Sequence, residues 1–180
     1  MMKLRRILSV LLIIVLIFVA VYGVSLLVVR NSGYHQYPTL DELRQLEGPE
    51  AKHEACKIPN IKLKLMSNDQ LVQALLDDPY LMTPHIYSTG RLGTDAIVSQ
   101  SSALQELLER DGSANLLLEK IEELRHDPDP YVREGIVESL AVILLYDHTL
   151  ASQLTPAEKE MLHPFDSFRR GPPDYPGYFD

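Results

Sequence analysis

The chain has 180 residues, of which 17 are Lys or Arg and 25 are Asp or Glu, and a formal net charge of −8. This length allows one domain of typical size beside a terminal segment. All 25 acidic residues but only 13 basic ones follow Arg30, so this part carries a net charge of −12. Because phosphate groups would be repelled, nucleic acid is not expected as a partner.

Residues 7–29 form an uncharged apolar run, which predicts a transmembrane helix. With about 1.5 Å of rise per residue the run spans roughly 35 Å, enough to cross a hydrocarbon core of about 30 Å. Three basic residues precede it and only Arg30 follows it closely: Lys3, Arg5 and Arg6. The positive-inside rule therefore predicts a single-pass signal anchor in the cell membrane, with residues 1–6 cytoplasmic and the body extracytoplasmic.

A cleaved signal peptide is the alternative interpretation of the same segment. The small residues Gly23 and Ser25 offer cleavage positions after a basic start. The apolar region of a signal peptide usually has about 7–15 residues, and this run is longer, which favours the uncleaved anchor. In the alternative the protein is secreted, and both interpretations place the body outside the cytoplasm.

Residues 30–38 end in a proline and predict a linker, and residues 39–163 predict a helical domain. A capping box from Thr39 to Glu42 begins a helix that ends at Gly48-Pro49, and a short helix is expected over residues 49–56. Three apolar residues then alternate with lysines, which suggests an extended segment: Ile61, Leu63 and Leu65.

Helical signals are dense from Ser67 onward. Capping boxes are predicted at three positions, Ser67–Gln70, Ser102–Gln105 and Thr155–Glu158, the last beginning a helix to Leu162. The first of these helices is expected to end at Asp78-Pro79, and residues 80–93 are predicted to be irregular. A short helix is expected over residues 94–100. Ser113 is expected to cap a further helix.

Asp127-Pro-Asp-Pro130 ends that helix and begins another, with Asp129 as N-cap and Pro130 in the first position. The new helix carries a wide apolar stripe and is the predicted core element: Val132, Ile136, Val137, Leu140, Ile143 and Leu144. Residues 164–180 form a tail rich in Pro and Tyr. The pattern predicts an all-α fold, with a transmembrane helix followed by a small multi-helix domain.

Three motifs together cover about a third of the chain: Cys56-x-Ile58-Pro59, Met66-Ser67-x-x-x-Leu71-Val72-x-x-x-Leu76-x-x-Pro79-Tyr80 and Ala103-Leu-Gln-Glu-Leu-Leu108-x-Arg110. This pattern resembles a group of uncharacterised secreted bacterial proteins. The resemblance implies export and a helical body.

A second, local pattern covers residues 127–140 and consists of Asp127-Pro-Asp-Pro130, Val132, Arg133, Ile136 and Leu140. These residues resemble the second helix of a HEAT repeat. No second copy follows at the expected period of about 40–47 residues, and a solenoid needs about three repeats. The resemblance therefore implies one HEAT-like helical pair and not an array.

Three Glu-x-x-His pairs could in principle ligate a metal: Glu50/His53, Glu123/His126 and Glu160/His163. Residues three apart share a helix face, as in di-iron bundles, but such bundles need long facing helices and further carboxylates. A histidine near a helix C-terminus with an acidic neighbour explains each pair more simply. We therefore predict no metal, cofactor or catalytic residue from the sequence.

Two smaller features remain. Cys56 is the only cysteine, so it forms no intramolecular disulfide, and it is expected to be a buried apolar residue, an intermolecular bridge being the alternative. Pro172-Pro-Asp-Tyr175 formally matches a WW-domain ligand, but WW domains are cytoplasmic, whereas this tail is expected outside the cytoplasm. A packed strap or a generic docking tail is expected instead.

The sequence thus predicts a membrane-anchored extracytoplasmic module that binds an unknown protein partner or has a structural role. The alternative class is an extracytoplasmic enzyme that acts on envelope polymers. No nucleophile motif or phosphate-binding glycine loop supports that alternative.

Overall fold

The computed structural model describes Val15 and residues 35–168, and every regular element in 35–168 is helical. The predicted all-α fold is therefore confirmed for the body. Apart from Val15, the predicted transmembrane segment 7–29 lies outside the described residues, as do residues 169–180 of the tail. Within the described part of the chain, no helix is both long and apolar enough to cross a membrane.

Short helices connected by tight turns make up the described body. The α-helices are α1 (Leu40–Gln45), α2 (Gly48–Cys56), α3 (Asn60–Leu65), α4 (Asn68–Leu76), α5 (Gly90–Gln100), α6 (Ser102–Leu108), α7 (Ser113–Leu124), α8 (Val137–Tyr146), α9 (His148–Gln153) and α10 (Pro156–Leu162). Two 3₁₀-helices, Thr83–Ile86 and His163–Phe165, and a π-helix, Tyr131–Ile136, complete the order.

Capping boxes begin α1, α4 and α10, as predicted. In the first box the Thr39 hydroxyl accepts a hydrogen bond from the Glu42 N–H, and the Glu42 carboxylate accepts one from the Thr39 N–H at 2.7 Å. Each box satisfies backbone N–H groups that have no partner within the helix. These three helix starts therefore follow from local sequence alone.

The box predicted at Ser102 is wrong. The N-cap of α6 is Ser101, whose hydroxyl accepts a hydrogen bond from the Leu104 N–H at 3.2 Å. The Ser102 hydroxyl instead accepts a hydrogen bond from the Ile58 N–H at 3.0 Å and so connects α6 to the segment before α3. Either of the two adjacent serines could have been the N-cap of α6. The long-range bond of Ser102 to Ile58 leaves that role to Ser101.

The predicted extended segment at residues 61–65 is also wrong, because these residues form α3. Five residues are too few for a period of two to be distinguished from a helical period. Only Leu63 of the alternating residues is buried, whereas Ile61 is 74% exposed and Leu65 is intermediate. Burial of Leu63 and Met66, three residues apart, is the spacing that a helix needs to pack one face.

Two further helix starts differ from the predictions. α5 begins at Gly90 and not at Thr94, with Thr89 as its N-cap. α7 has Gly112 as its N-cap at φ +76, a conformation that a glycine adopts without steric cost, and Ser113 is already the first helical residue. The helix α9, capped by Asp147, had no counterpart in the sequence-based assignment.

The predicted central helix is confirmed as the core element, although its first turn is a π-helix. The N-cap is Pro130 and not Asp129 as predicted, although the Asp129 carboxylate still accepts a hydrogen bond from the Tyr131 N–H at 2.9 Å. Val132 and Ile136 are only half-buried in the π-helix. The apolar residues of α8 are buried: Val137, Leu140, Ala141, Val142, Ile143 and Leu144.

Helices α5, α7 and α9 pack against α8, and α4 packs against α6. The predicted pairing of the helices on either side of Asp127-Pro-Asp-Pro130 is therefore confirmed, while their relation to HEAT repeats stays a prediction. The core extends to α3 through Leu63 and to α10 through Leu162. The predicted linker also takes part, since Tyr37 packs against this core.

Candidate functional site

A shallow groove of about 350 Å³ lies between α2 and the C-terminal end of α5. Its lining residues are Pro49, Glu50, His53, Tyr80, Ser99 and Gln100. The predicted pair Glu50/His53 thus lines a groove, whereas no group of three or more His, Cys, Asp or Glu in the described residues could hold a metal ion. The rings of His53 and Tyr80 lie 6.2 Å apart between centroids, tilted by 56°.

The buried carboxylate of Asp78 lies behind Tyr80 and fixes its backbone. Asp78 is 5% exposed, and its Oδ1 accepts a hydrogen bond from the Tyr80 N–H at 2.9 Å. Its Oδ2 accepts one from the Tyr37 hydroxyl at 3.3 Å, and the Ser101 side chain also hydrogen-bonds to it. Burial raises the pKa of Asp78 despite these three donors. The carboxylate therefore joins the predicted linker, the end of α4 and the α5–α6 junction.

Cys56 is buried and free, as predicted. Burial, with a smaller contribution from the Asp78 carboxylate, raises the pKa of its thiol. A nucleophilic cysteine needs an accessible site that lowers the pKa of the thiol. The environment of Cys56 therefore favours a packing role.

The other two Glu-x-x-His pairs have local partners. Glu123 forms an ion pair with Lys120 at 2.6 Å, and the Arg125 Nε donates to His126 Nε2 at 3.1 Å. Glu160 lies 3.0 Å from Nδ1 of His163, three residues along. The structure does not bring these two pairs together with Glu50 and His53 around one ligand position.

Glu106 is buried within an ion-pair network that joins α6 to α3. Its carboxylate lies 3.1 Å from Arg110 and 2.9 Å from Lys64. The Arg110 guanidinium also donates to the backbone carbonyls of Leu63 and Met66 at the C-terminal end of α3. The Leu63 carbonyl also accepts the Met66 N–H at 3.2 Å, so the guanidinium adds a second donor at this helix end and connects it to the segment after α6.

The remaining buried carboxylates of the described residues are Asp147 and Asp166. Asp147 is the N-cap of α9 and accepts hydrogen bonds from the Thr149 and Leu150 N–H groups at 2.9 Å. Asp166 accepts a hydrogen bond from the Tyr146 hydroxyl at 2.9 Å. Both carboxylates therefore have structural partners, which is not the arrangement of a general acid that faces a cavity.

Three large apolar side chains are exposed on the loop before α5 and on its first turn. Ile86 is 80% exposed, Leu92 52% and Tyr87 37%. We refer to Ile86, Tyr87 and Leu92 as the loop patch. The three residues lie within seven consecutive positions of the chain, and exposed large apolar side chains mark candidate interaction surfaces.

Close backbone contacts hold the loop patch in place. A Cβ added at Gly93 would lie 2.6 Å from the Cα and the carbonyl oxygen of Pro84, so α5 crosses the loop at a distance that only glycine permits. On the other side, His85 Nε2 lies 2.9 Å from Oγ of the buried Ser139 in α8. Burial lowers the pKa of His85, which favours a neutral, packed imidazole.

The sequence predicts neither the buried Asp78 nor the loop patch as such. It predicts a helix stop at Asp78-Pro79 and an irregular stretch over residues 80–93 around an aromatic patch of Tyr80 and Tyr87. The stretch contains six aromatic or large apolar residues among turn formers, a signal of a structured loop: Tyr80, Leu81, Met82, Ile86, Tyr87 and Leu92. The formal WW match at Pro172–Tyr175 lies outside the described residues.

Comparisons with protein-family models, with curated proteins and with solved structures find no match for this chain.

Proposed function

We propose that the chain is a single-pass membrane-anchored protein whose extracytoplasmic helical domain binds another protein through the loop patch. The observation that carries the proposal is the exposure of Ile86, Tyr87 and Leu92 on a loop whose backbone is held by close packing. A preorganised apolar surface loses little conformational entropy on binding. The anchor at residues 7–29 is supported by the uncharged run and its basic N-terminal flank.

The buried carboxylates are bonded to partners within the fold, which favours a binding role over catalysis. Each of the four in the described residues, Asp78, Glu106, Asp147 and Asp166, has hydrogen-bond or ion-pair partners within the fold. Glycan-cleaving enzymes need a pair of carboxyl groups that face one bond. These four carboxylates instead stabilise helix ends and junctions.

The two resemblances fit the same proposal. The similarity to exported bacterial proteins supports an extracytoplasmic body. The similarity of residues 127–140 to a HEAT helix supports a scaffold in which one helical pair orients the rest. A single pair is not an array, so the binding surface is expected on the loops and not along a solenoid.

Two isoleucines of similar exposure allow a matched test of the loop patch. Ile86 is 80% exposed in the patch, and Ile61 is 74% exposed on α3. Full-length wild-type protein, Ile86→Asp and Ile61→Asp are captured from membranes, and the associated proteins are identified by mass spectrometry. The proposal expects a partner with the wild type and with Ile61→Asp that is lost with Ile86→Asp. Equal recovery with all three proteins contradicts it.

Topology and anchoring are tested separately. Protease added to cells with an opened outer barrier should remove the body, and complete protection contradicts the extracytoplasmic orientation. Intact mass of the protein purified from membranes should include residues 1–30. A soluble species that starts near Val24 or Leu26 instead indicates the cleaved signal peptide.

A further inference from the structure

The groove between α2 and α5 is lined by two aromatic rings and several polar groups, and the proposed protein-binding role does not involve it. Tyr80 and His53 supply the rings, and Glu50, Ser99 and Gln100 supply a carboxylate, a hydroxyl and a carboxamide. The groove lies at the C-terminal end of α5, whereas Leu92 of the loop patch lies in its first turn. With about 1.5 Å of rise per residue, the seven residues from Leu92 to Ser99 separate the two surfaces by roughly 10 Å along the helix.

Two polar side chains of the groove, Ser99 and Gln100, are held in position by hydrogen bonds to the surrounding fold. The Tyr80 backbone N–H is fixed by Asp78. The Ser99 hydroxyl donates to the Ala96 carbonyl at 2.7 Å, so its oxygen keeps its acceptor lone pairs. Oε1 of Gln100 accepts from the Thr83 hydroxyl at 3.5 Å, so the amide nitrogen can donate elsewhere. The groove thus presents donors and acceptors with restricted orientations.

The chemistry of the groove favours one class of ligand. Among the described residues that line the groove, Glu50 is the only carboxylate and none is lysine or arginine, so an anionic ligand would be repelled. The elements that border it are helices, which offer no strand edge to which an extended peptide could add. A sugar ring has an apolar C–H face that can pack on an aromatic ring and hydroxyls that can pair with carboxylate and amide groups.

From this arrangement we propose that the groove of Glu50, His53, Tyr80, Ser99 and Gln100 is a binding subsite for a neutral saccharide. A volume of about 350 Å³ is at the lower end of the range for small-ligand sites, which suits a short stretch of a sugar chain. Glu50 is exposed and is the single carboxylate among the described lining residues, whereas cleavage of a glycosidic bond uses a pair, so we assign the site to binding and not to cleavage. The protein would then hold a protein partner at one end of α5 and a glycan at the other.

Saturation-transfer NMR on the full chain tests the subsite, with chitotriose and maltotriose as separate probes. The detergent must lack a sugar headgroup, because such a headgroup would compete for the groove. Glu50→Ala and Tyr80→Leu change the groove, and Glu47→Ala is the matched control, since Glu47 is exposed in the turn before α2 and does not line the groove. Glu50→Ala keeps the test informative if Tyr80→Leu fails to fold.

The proposal expects saturation of at least one probe by the wild type and by Glu47→Ala. It also expects Glu50→Ala to raise the Kd for that probe roughly tenfold or more, because a hydrogen bond to a charged group is lost. The peptide trialanine serves as a control ligand that is not a sugar. Any one of three results overturns the proposal: no saturation with either sugar, equal affinity of Glu50→Ala and the wild type, or saturation of trialanine equal to that of the sugars. Ile86→Asp should bind the probe normally, so failure of the loop patch and failure of the groove are distinguished.

Discussion

The Tyr37 hydroxyl donates a hydrogen bond to Oδ2 of Asp78, which lies 41 positions further along the chain. The bond connects the segment before α1 to the end of α4. Tyr37 is thereby one of the three groups that donate to the buried Asp78 carboxylate. Burial, with the neighbouring Asp78, raises the pKa of Tyr37, so the phenol stays a proton donor at neutral pH. Residues 35–38 are therefore part of the packed domain and not only a connection to it.

Tyr37→Phe removes this hydroxyl and leaves the ring. We expect the free energy of unfolding to fall by about 0.5–1.5 kcal/mol, because the buried carboxylate loses one of its three donors. Tyr87→Phe is the control, since Tyr87 lies on the exposed loop patch. Urea denaturation of both variants measures the difference, and equal stabilities would show that the hydrogen bond contributes nothing.

Asp78→Asn changes the pH dependence of stability. Burial raises the pKa of Asp78 above its ordinary 3.8, so the folded state binds this proton more tightly than the unfolded state does. The resulting stabilisation is fully present below the unfolded pKa and is lost as the pH rises through the folded pKa. Relative to the wild type, Asp78→Asn should therefore gain stability as the pH rises from about 4, until Asp78 is fully ionised.

Exposed carboxylates whose pKa is lowered, such as Glu42 and Glu158, contribute the opposite slope. They are present in both proteins and cancel in the difference. Urea denaturation across this pH range measures the curves, and parallel curves for Asp78→Asn and the wild type would contradict the assignment.

Gly93→Ala should destabilise the fold, although glycine to alanine in a helix ordinarily stabilises by about 1 kcal/mol. The added Cβ would lie 2.6 Å from backbone atoms of Pro84, which cannot move without displacing the loop. Overpacking of this kind costs about 1–3 kcal/mol. Gly135→Ala is the control, because its Cβ would meet the end of the flexible Met82 side chain at 3.2 Å and the Tyr131 ring at an ordinary 3.7 Å. Thermal unfolding should show a lower Tm for Gly93→Ala alone.

Leu140→Ala tests the core helix. Leu140 is fully buried at the centre of α8, and truncation of such a leucine costs about 2–5 kcal/mol. Glu119→Ala, on the exposed face of α7, should change the stability little. Similar Tm values for the two variants would show that the register assigned to α8 is wrong.

Local signals in the sequence determined the features that depend on neighbouring residues. Thr39, Ser67 and Thr155 cap helices because each hydroxyl is followed three residues later by Glu or Gln, and both partners lie within one turn. The apolar run of α8 marks a core helix because a helix that is apolar on nearly every face must be buried. The all-α class follows from such signals, since they recur along the body.

Tertiary structure alone decided the features that need a distant partner. Ser102 bonds to Ile58 and leaves the capping of α6 to Ser101, and Leu63 makes residues 60–65 helical by packing into the core. Asp78 receives Tyr37 and Ser101 from separate segments, so no spacing in the sequence could reveal the cluster. The loop patch and the groove follow the same rule, because exposure and enclosure are properties of packed helices and not of any single stretch of chain.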